Sequence, residues 1–225
     1  MKHKPNRNKN ESEGNVNLYE DGFIIKFWEK IFSFLSFFSV FNIIKKFKKG
    51  KITSIFVEKW VLFNLLFSII SSVVLYNTKL YYLSMICSVY GLLRAFEVIV
   101  YQINVLFFDP YRAHLAGRKY YIKSPTRMVI LLLHNYVELI FWFATIYISL
   151  NIFAGMPMVY QWSGYVKYSA FCFINNDLSF VSESGLSHTF ALIAGLEIIG
   201  GMIMTLISLA RFIGLLPVVE SYEKI

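Results

Sequence analysis

Residues 60–76 read WVLFNLLFSIISSVVLY, seventeen consecutive residues without a charge. A helix rises about 1.5 Å per residue, so this run alone covers most of the roughly 30 Å hydrocarbon core of a bilayer. Three further apolar runs follow at about 80–108, 128–153 and 189–216. The sequence therefore predicts an all-α polytopic membrane protein with four transmembrane helices.

The composition supports the same class. Hydrophobic residues make up 56% of the 225 residues and charged residues only 16%, whereas a soluble domain carries about a quarter charged residues. The formal net charge is +8, but the basic clusters adjoin apolar runs, which favours membrane orientation over nucleic-acid binding. The two clusters are Lys45, Lys46, Lys48, Lys49 and Lys51, and Arg112, Arg118, Lys119, Lys123 and Arg127.

These two clusters predict the topology. One precedes the first span and the other separates the second from the third, so both lie on one side, which the positive-inside rule makes cytoplasmic. We expect a multi-pass protein of the cell membrane with both termini in the cytoplasm. The predicted domains are a disordered tail (1–22), an amphipathic interfacial helix with a basic linker (23–52), a peripheral transmembrane hairpin with its loop (55–126), a pore-like module (127–216) and a cytoplasmic tail (217–225).

The amino-terminal helix is expected to lie on the membrane rather than cross it. The uncharged part, 31–44, is too short to span the hydrocarbon core. Ser33, Ser36, Ser39 and Asn42 recur every three residues and place a polar stripe along one side of the helix. A short fifth span would place the basic amino terminus outside, against the charge rule.

The connector between the last two spans, 154–188, is expected to lie outside. It contains a short apolar stretch, YVKYSAFCFI at 165–174, followed by a polar run at 175–185. This order fits a re-entrant pore helix, because non-helical backbone is tolerated at membrane depth only inside protein or beside water. It fits equally well an ordinary outer loop with an interfacial helix, and the pattern leaves both open.

Residues 190–216 read FALIAGLEIIGGMIMTLISLARFIGLL, which resembles the inner helix of bacterial two-transmembrane ion channels of the potassium-channel superfamily. The matching positions are Ala191, Leu196, Glu197, Gly200, Ala210, Arg211 and Gly214. The similarity covers roughly the last 90 residues, from about Arg127. It implies a pore module that passes monovalent cations and assembles as a homotetramer in the lipid bilayer.

The family's glycine-rich filter is replaced here by a degenerate one. The matching place is occupied by Ile174, Asn175, Asn176, Asp177, Leu178, Ser179 and Phe180. No glycine lies between Ile174 and Gly185. Glycines permit the unusual dihedrals of a filter built from backbone carbonyls. Two interpretations follow: Asp177 and Glu183 form acidic rings that attract cations, or the loop is a remnant in a non-conducting sensor or assembly subunit.

Charges within the spans predict structural contacts. Arg94 and Glu97 are three residues apart on one helix face, and a bridge from Arg94 to Glu138 would join the second and third spans. We expect Glu197 to support the loop, with direct ion binding as the alternative. Gly200 and Gly201 predict close helix packing, with a gating hinge as the alternative. Asp109–Pro110 is expected to end the second span.

No catalytic function is predicted. The sequence contains no nucleophile elbow, P-loop or dinucleotide motif, and the four histidines share no ligand spacing. Cys87 and Cys172 lie within apolar stretches and predict buried free thiols. We therefore expect no catalytic residue, no metal and no cofactor.

Overall fold

The structure of the protein is a computed structural model that describes residues 22–37, 53–120, 124–176 and 187–214. The regular secondary structure of these residues is helical, without a strand. The elements are α1 (Phe23–Phe37), α2 (Ser54–Thr78), α3 (Tyr81–Ile103), a π-helical segment (Asn104–Phe108), α4 (Asp109–Leu115), α5 (Pro125–Phe153), α6 (Trp162–Asn175) and α7 (Ser187–Ile213).

Four of these helical stretches are long and apolar enough to cross a membrane. They are Ile55–Thr78, Tyr81–Leu115, Pro125–Phe153 and His188–Ile213, which confirms the all-helical class and the four predicted spans. Large apolar side chains stay exposed along them, as a lipid-facing surface requires. Examples are Phe63 at 56%, Ile86 at 66%, Leu133 at 48% and Leu192 at 71% of their full exposure.

Helix α5 forms the centre of the bundle and packs against α2, α3, α6 and α7. In its second half nearly every side chain is buried, including Trp142, Tyr147 and Ile148. By contrast, α2 and α3 contact each other far less than each contacts α5. The first two spans therefore join the rest of the protein mainly through α5.

The helix ends follow local chemistry. The Thr53 hydroxyl accepts a hydrogen bond from the Phe56 amide at the start of α2, and the Ser124 hydroxyl accepts one from the Arg127 amide at the start of α5. Such side chains satisfy amide groups that the first helical turn leaves unpaired. Helix α2 ends at Thr78. The next residue, Lys79, adopts the left-handed conformation (φ 52°) and turns the chain into α3.

The prediction that Asp109–Pro110 ends the second span was wrong. The helical stretch continues through Pro110 to Leu115, because the π-helical segment Asn104–Phe108 precedes it and a new helical run begins at Asp109. Pro110 directly follows the π-helical turn, in which the Asp109 amide donates to the Asn104 carbonyl five residues earlier. The wider turn before it absorbs the ring that would otherwise clash.

Several predictions fall outside the described residues. These are the structures of the two tails, of the linker at 38–52 and of residues 177–186, which include Asp177, Leu178, Ser179 and Glu183. The proposed amphipathic helix is described as far as Phe37. The division of the chain into a peripheral hairpin and a pore-like module stays a prediction.

Candidate functional site

The short helix α6 lies between the third and fourth spans, where the sequence predicts one at 165–174. Its first half is close to the ends of the neighbouring spans: Asn151 Nδ2, near the end of α5, donates to the Tyr165 hydroxyl at 2.5 Å. The Tyr165 ring also contacts Tyr76, near the end of α2, with 6.5 Å between ring centroids. Trp162 Nε1 donates to the Ser72 hydroxyl of α2 at 3.1 Å.

The other end of α6 lies beside the middles of α5 and α7. The ring of Phe173 packs edge-on against Tyr136, the twelfth of 29 residues in α5, at 4.7 Å between centroids. The Phe173 backbone passes directly over Gly201, the fifteenth of 27 residues in α7. Helix α6 therefore starts at the level of the span ends and finishes halfway along the last two spans.

Close packing at this point depends on Gly201. A Cβ atom there would lie 2.2 Å from the carbonyl oxygen of Phe173, far inside van der Waals contact. Gly200 is less restricted, since a Cβ there would meet the flexible end of Ile99 at 3.2 Å and the ring of Phe173 at an ordinary contact distance of 3.8 Å. Of the two roles considered for this pair, the structure provides the contact that close packing requires.

Glu197 of α7 is completely buried against α6 and α5. Its carboxyl oxygens lie 2.5 Å from the Tyr147 hydroxyl of α5 and 2.5 Å from the Ser169 hydroxyl of α6. Ser169 is also 2.8 Å from the carbonyl oxygen of Ile140. One carboxyl group thus joins three helices, and no salt bridge to it is present among the described residues. These contacts place Glu197 beside α6, and its role as a support of the connector stays a prediction.

Ser169 and Tyr147 were not predicted. They are 28 and 50 residues from Glu197 in the chain, and nothing in their local sequence distinguishes them from other polar residues in apolar helices. The sequence indicated such partners only indirectly, because a buried acid at Glu197 requires hydrogen-bond donors at the same depth on neighbouring helices.

The carboxyl-terminal end of α6 is capped by Asn176, which adopts the left-handed conformation (φ 56°) and donates its amide hydrogen to the Cys172 carbonyl. Asparagine is one of the few non-glycine residues that accept this conformation readily. The side chains of Asn175 and Asn176 are exposed. The chain therefore turns sharply at the point where the predicted filter region begins.

The predicted charges of the second and third spans are in contact. Arg94 Nη1 donates to Glu97 Oε2 at 2.7 Å, and Arg94 binds Glu138 through two nitrogens at 2.7 and 3.2 Å. All three side chains are at most 5% exposed. Trp142 Nε1 adds a hydrogen bond to Glu138 at 3.2 Å. The cluster joins α3 to α5, because a charge at this depth is costly unless it is paired.

A small cavity of about 30 Å³ adjoins this cluster and is lined by residues of α2, α3 and α5. Asn135 Oδ1 and Trp60 Nε1, two polar atoms of its lining residues, are buried without a hydrogen-bond partner in the described part of the chain. A cavity of this volume has room for an ordered water molecule. The Nδ1 atom of His134 lies 2.8 Å from the Ile130 carbonyl of its own helix.

No family model, curated protein or solved structure matches this chain. The similarity of α7 to channel inner helices stays an interpretation of its residues, and function has to be argued from the geometry. Within the residues that the structure describes, no group of three or more His, Cys, Asp or Glu side chains is placed to hold a metal ion.

The support given by Glu197 leads to a prediction. Glu197→Met keeps the length of the side chain but removes the hydrogen bonds of the carboxyl group to the Tyr147 and Ser169 hydroxyls, while Ser169 keeps its contact with the Ile140 carbonyl. We expect a loss of about 1–3 kcal/mol in the free energy of unfolding. Glu197→Gln retains an acceptor for Tyr147 and gains a donor for Ser169, and should lose less than half as much. Chemical unfolding of the purified protein in mild detergent, followed by circular dichroism, measures both. Equal losses in the two variants would show that side-chain packing, not hydrogen bonding, is what Glu197 contributes.

Proposed function

We propose that this chain is a channel-like membrane protein whose last two spans and α6 form a pore module for monovalent cations. The observation that carries the proposal is the position of α6, which ends beside the middles of α5 and α7. In a bilayer this makes α6 a re-entrant helix. Helix α1, amphipathic and without a buried residue, is then the interfacial helix at the other end of the bundle.

The chain has to return from this mid-span position to the start of α7. Gly201 is fourteen residues from Ser187, which corresponds to about 21 Å of helix rise. The ten residues that make the connection, 177–186, read DLSFVSESGL and are rich in polar side chains. Polar residues at half the depth of a span require protein or water around them, and a watery cavity beside α6 meets that requirement.

The charges at this place favour a cation. The carboxyl-terminal end of α6 presents the negative end of its helix dipole, as the pore helices of cation channels do. The sequence adds Asp177 immediately after the helix and Glu183 further along, and Asn175, Asn176, Leu178 and Ser179 complete the proposed filter region. Acidic side chains would then attract cations in place of a ring of backbone carbonyls.

One chain supplies only one wall of such a path, so the proposal requires a homo-oligomer, and the resemblance implies four copies. The cytoplasmic face is proposed to be the one with the basic clusters, which places both termini inside the cell. A second candidate is a non-conducting sensor or assembly subunit that retains the pore scaffold. The absence of glycine between Ile174 and Gly185 favours that candidate, because it removes the residues from which a carbonyl filter is built.

Ion flux through the full-length protein in liposomes, under potassium and then sodium gradients, separates the two candidates. We expect cation-selective flux that falls about tenfold or more in Asp177→Asn, since an acidic mouth raises the local cation concentration by at least that factor. Glu58→Gln, which removes an acid near the start of α2, should leave the flux unchanged. Flux no greater than in empty liposomes, from protein shown to be folded and oligomeric, would contradict the channel proposal and support the non-conducting subunit.

A further inference from the structure

Helix α1 is attached to the rest of the protein through one of its sides. Glu29 Oε1 lies 2.8 Å from Arg112 Nε of α4. The ring of Phe32 stacks on Phe108 at 5.2 Å between centroids, and the Phe32 carbonyl accepts a hydrogen bond from Asn104 Nδ2 at 3.3 Å. An ion pair, a ring contact and a backbone hydrogen bond thus fix α1 to the π-helical segment and to the helix after it.

The opposite side of α1 is apolar and exposed. At 100° per residue, Phe23, Phe27 and Phe34 lie roughly 140–200° around the helix from Phe32. They are 82%, 49% and 63% exposed. An exposed apolar stripe on an amphipathic helix at a bundle end is suited to the boundary between headgroups and acyl chains. This side of α1 therefore faces the lipid.

Two lysines accompany the apolar side, about 120° and 160° around the helix from Phe32. Lys26 and Lys30 are four residues apart, so their side chains emerge on the same face. Lys30 lines a groove together with Glu29, Ser33, Phe34 and Phe37. The Glu29 carboxylate is paired with Arg112, so its negative charge is compensated. The groove then offers the Lys30 ammonium and the Ser33 hydroxyl as donors to a phosphate, and the rings of Phe34 and Phe37 as a surface for an acyl chain. An anionic phospholipid has both of these parts.

The attachment of α1 continues as a series of contacts to the end of α7. Arg112 Nη2 donates to Asn104 Oδ1 at 2.8 Å, and Asn104 begins the π-helical segment. Two residues earlier on α3, the side-chain oxygen of Gln102 accepts a hydrogen bond from Arg211 Nη2 at 2.9 Å. Arg211 is 5% exposed and stands in the last turn of α7. π-helical turns frequently occur at functional sites, where they allow a helix to change register.

We propose that the groove on α1 binds the headgroup of an anionic phospholipid, and that this binding holds the end of α7 in place through Arg112, Asn104, Gln102 and Arg211. The further step, that this contact regulates a pore lined by α7, rests on the proposed function. The lipid site and its effect on α7 do not require that the pore conducts.

The first experiment measures lipid preference at α1. Full-length protein is reconstituted in phosphatidylcholine vesicles that contain brominated phosphatidylglycerol or, at the same mole fraction, brominated phosphatidylcholine. Phe34→Trp in a Trp28→Phe background places an indole in the groove, and its quenching is obtained as the difference from Trp28→Phe alone. We expect preferential quenching by the anionic lipid, since each lysine near the surface contributes about fivefold to binding. In the double variant Lys26→Gln/Lys30→Gln, the quenching by the two brominated lipids should become equal. Lys79→Gln is the matched control. It removes a lysine at the end of α2 that lies beside the start of α6, away from α1, and should retain the preference.

The second experiment measures transmission to α7. Hydrogen exchange at residues 205–213, read by mass spectrometry, should be several-fold slower in vesicles with phosphatidylglycerol than in pure phosphatidylcholine. Glu29→Gln is expected to retain the lipid preference of the Phe34→Trp reporter but lose this protection, because it breaks the ion pair with Arg112. Equal quenching of that reporter by both lipids, without the lysine substitutions, would overturn the lipid site. A lipid preference without any change in exchange at α7 would overturn the transmission. Neither result depends on ion flux, so failure of the channel proposal would be seen separately.

Discussion

Replacement of Arg94 by methionine is expected to lower the free energy of unfolding by about 3–5 kcal/mol, the largest loss for any single substitution considered for this protein. Methionine fills a similar volume but leaves Glu97 and Glu138 without the guanidinium that binds both. The two carboxylates are 3% and 0% exposed, so bulk solvent does not reach them to compensate for the lost charge. Unfolding by chemical denaturant in mild detergent, followed by circular dichroism, measures the effect.

The matched control is Arg112→Met. Arg112 also binds an acid on another helix, Glu29, but both side chains are partly exposed, at 32% and 22%. Partly hydrated pairs contribute little, so a loss of about 1 kcal/mol or less is expected. Adding Glu97→Gln and Glu138→Gln to Arg94→Met should recover part of the stability, since it removes the uncompensated charges. If Arg94→Met is as stable as the wild type, the cluster does not hold α3 to α5.

Replacement of Gly201 by alanine is expected to cost about 3 kcal/mol or more, at the upper end of the range for overpacked cores. The new Cβ would lie 2.2 Å from the Phe173 oxygen and 3.0 Å from its carbonyl carbon. These are backbone atoms, so a side-chain rotation cannot relieve the clash and α6 has to move away from α7. A thermal unfolding series in detergent measures the loss, and the same variant should lose any ion flux that the wild type shows.

Two other glycines of α7 provide the comparison. No atom lies within 4 Å of a Cβ placed on Gly195, so Gly195→Ala should raise stability by about 0.5–1 kcal/mol through helix propensity alone. Gly200→Ala meets side-chain atoms alone, the end of Ile99 and the ring of Phe173, and should fall between the two. A loss that is the same at all three positions would indicate a general effect of alanine in α7. It would also count against a specific contact between α6 and Gly201.

The four spans could be read from the sequence because they depend on local composition. Runs such as 60–76 exceed the length and hydropathy that a bilayer requires, whatever their neighbours are. The short helix α6 was also predicted, although it is longer at both ends than the apolar stretch 165–174. The end of the second span was misplaced at Pro110, because proline was assumed to end a helix and a π-helical turn that accommodates it has no clear sequence signal.

The contacts of buried charges were predictable only in part. Arg94 and Glu97 are neighbours on one helix face, and the cost of a charge in the membrane pointed to Glu138 as their partner. Glu197 was expected to support the loop, yet Ser169 and Tyr147 were not identified as the residues that bind it. The attachment of α1 through Glu29 and Arg112, 83 residues apart, was not predicted either.

The sequence by itself determined that this is a helical, multi-pass membrane protein with four spans and a short helix before the last. It did so because the free energy of transfer into a bilayer is a sum over neighbouring residues, which a sequence displays directly. The tertiary structure alone decided that α5 is the centre, that α6 ends above Gly201 and that Glu197 joins three helices. Those features depend on how each helix is rotated and shifted against its neighbours. A rotation of 100°, the turn between consecutive residues, brings different side chains into contact while the composition stays the same.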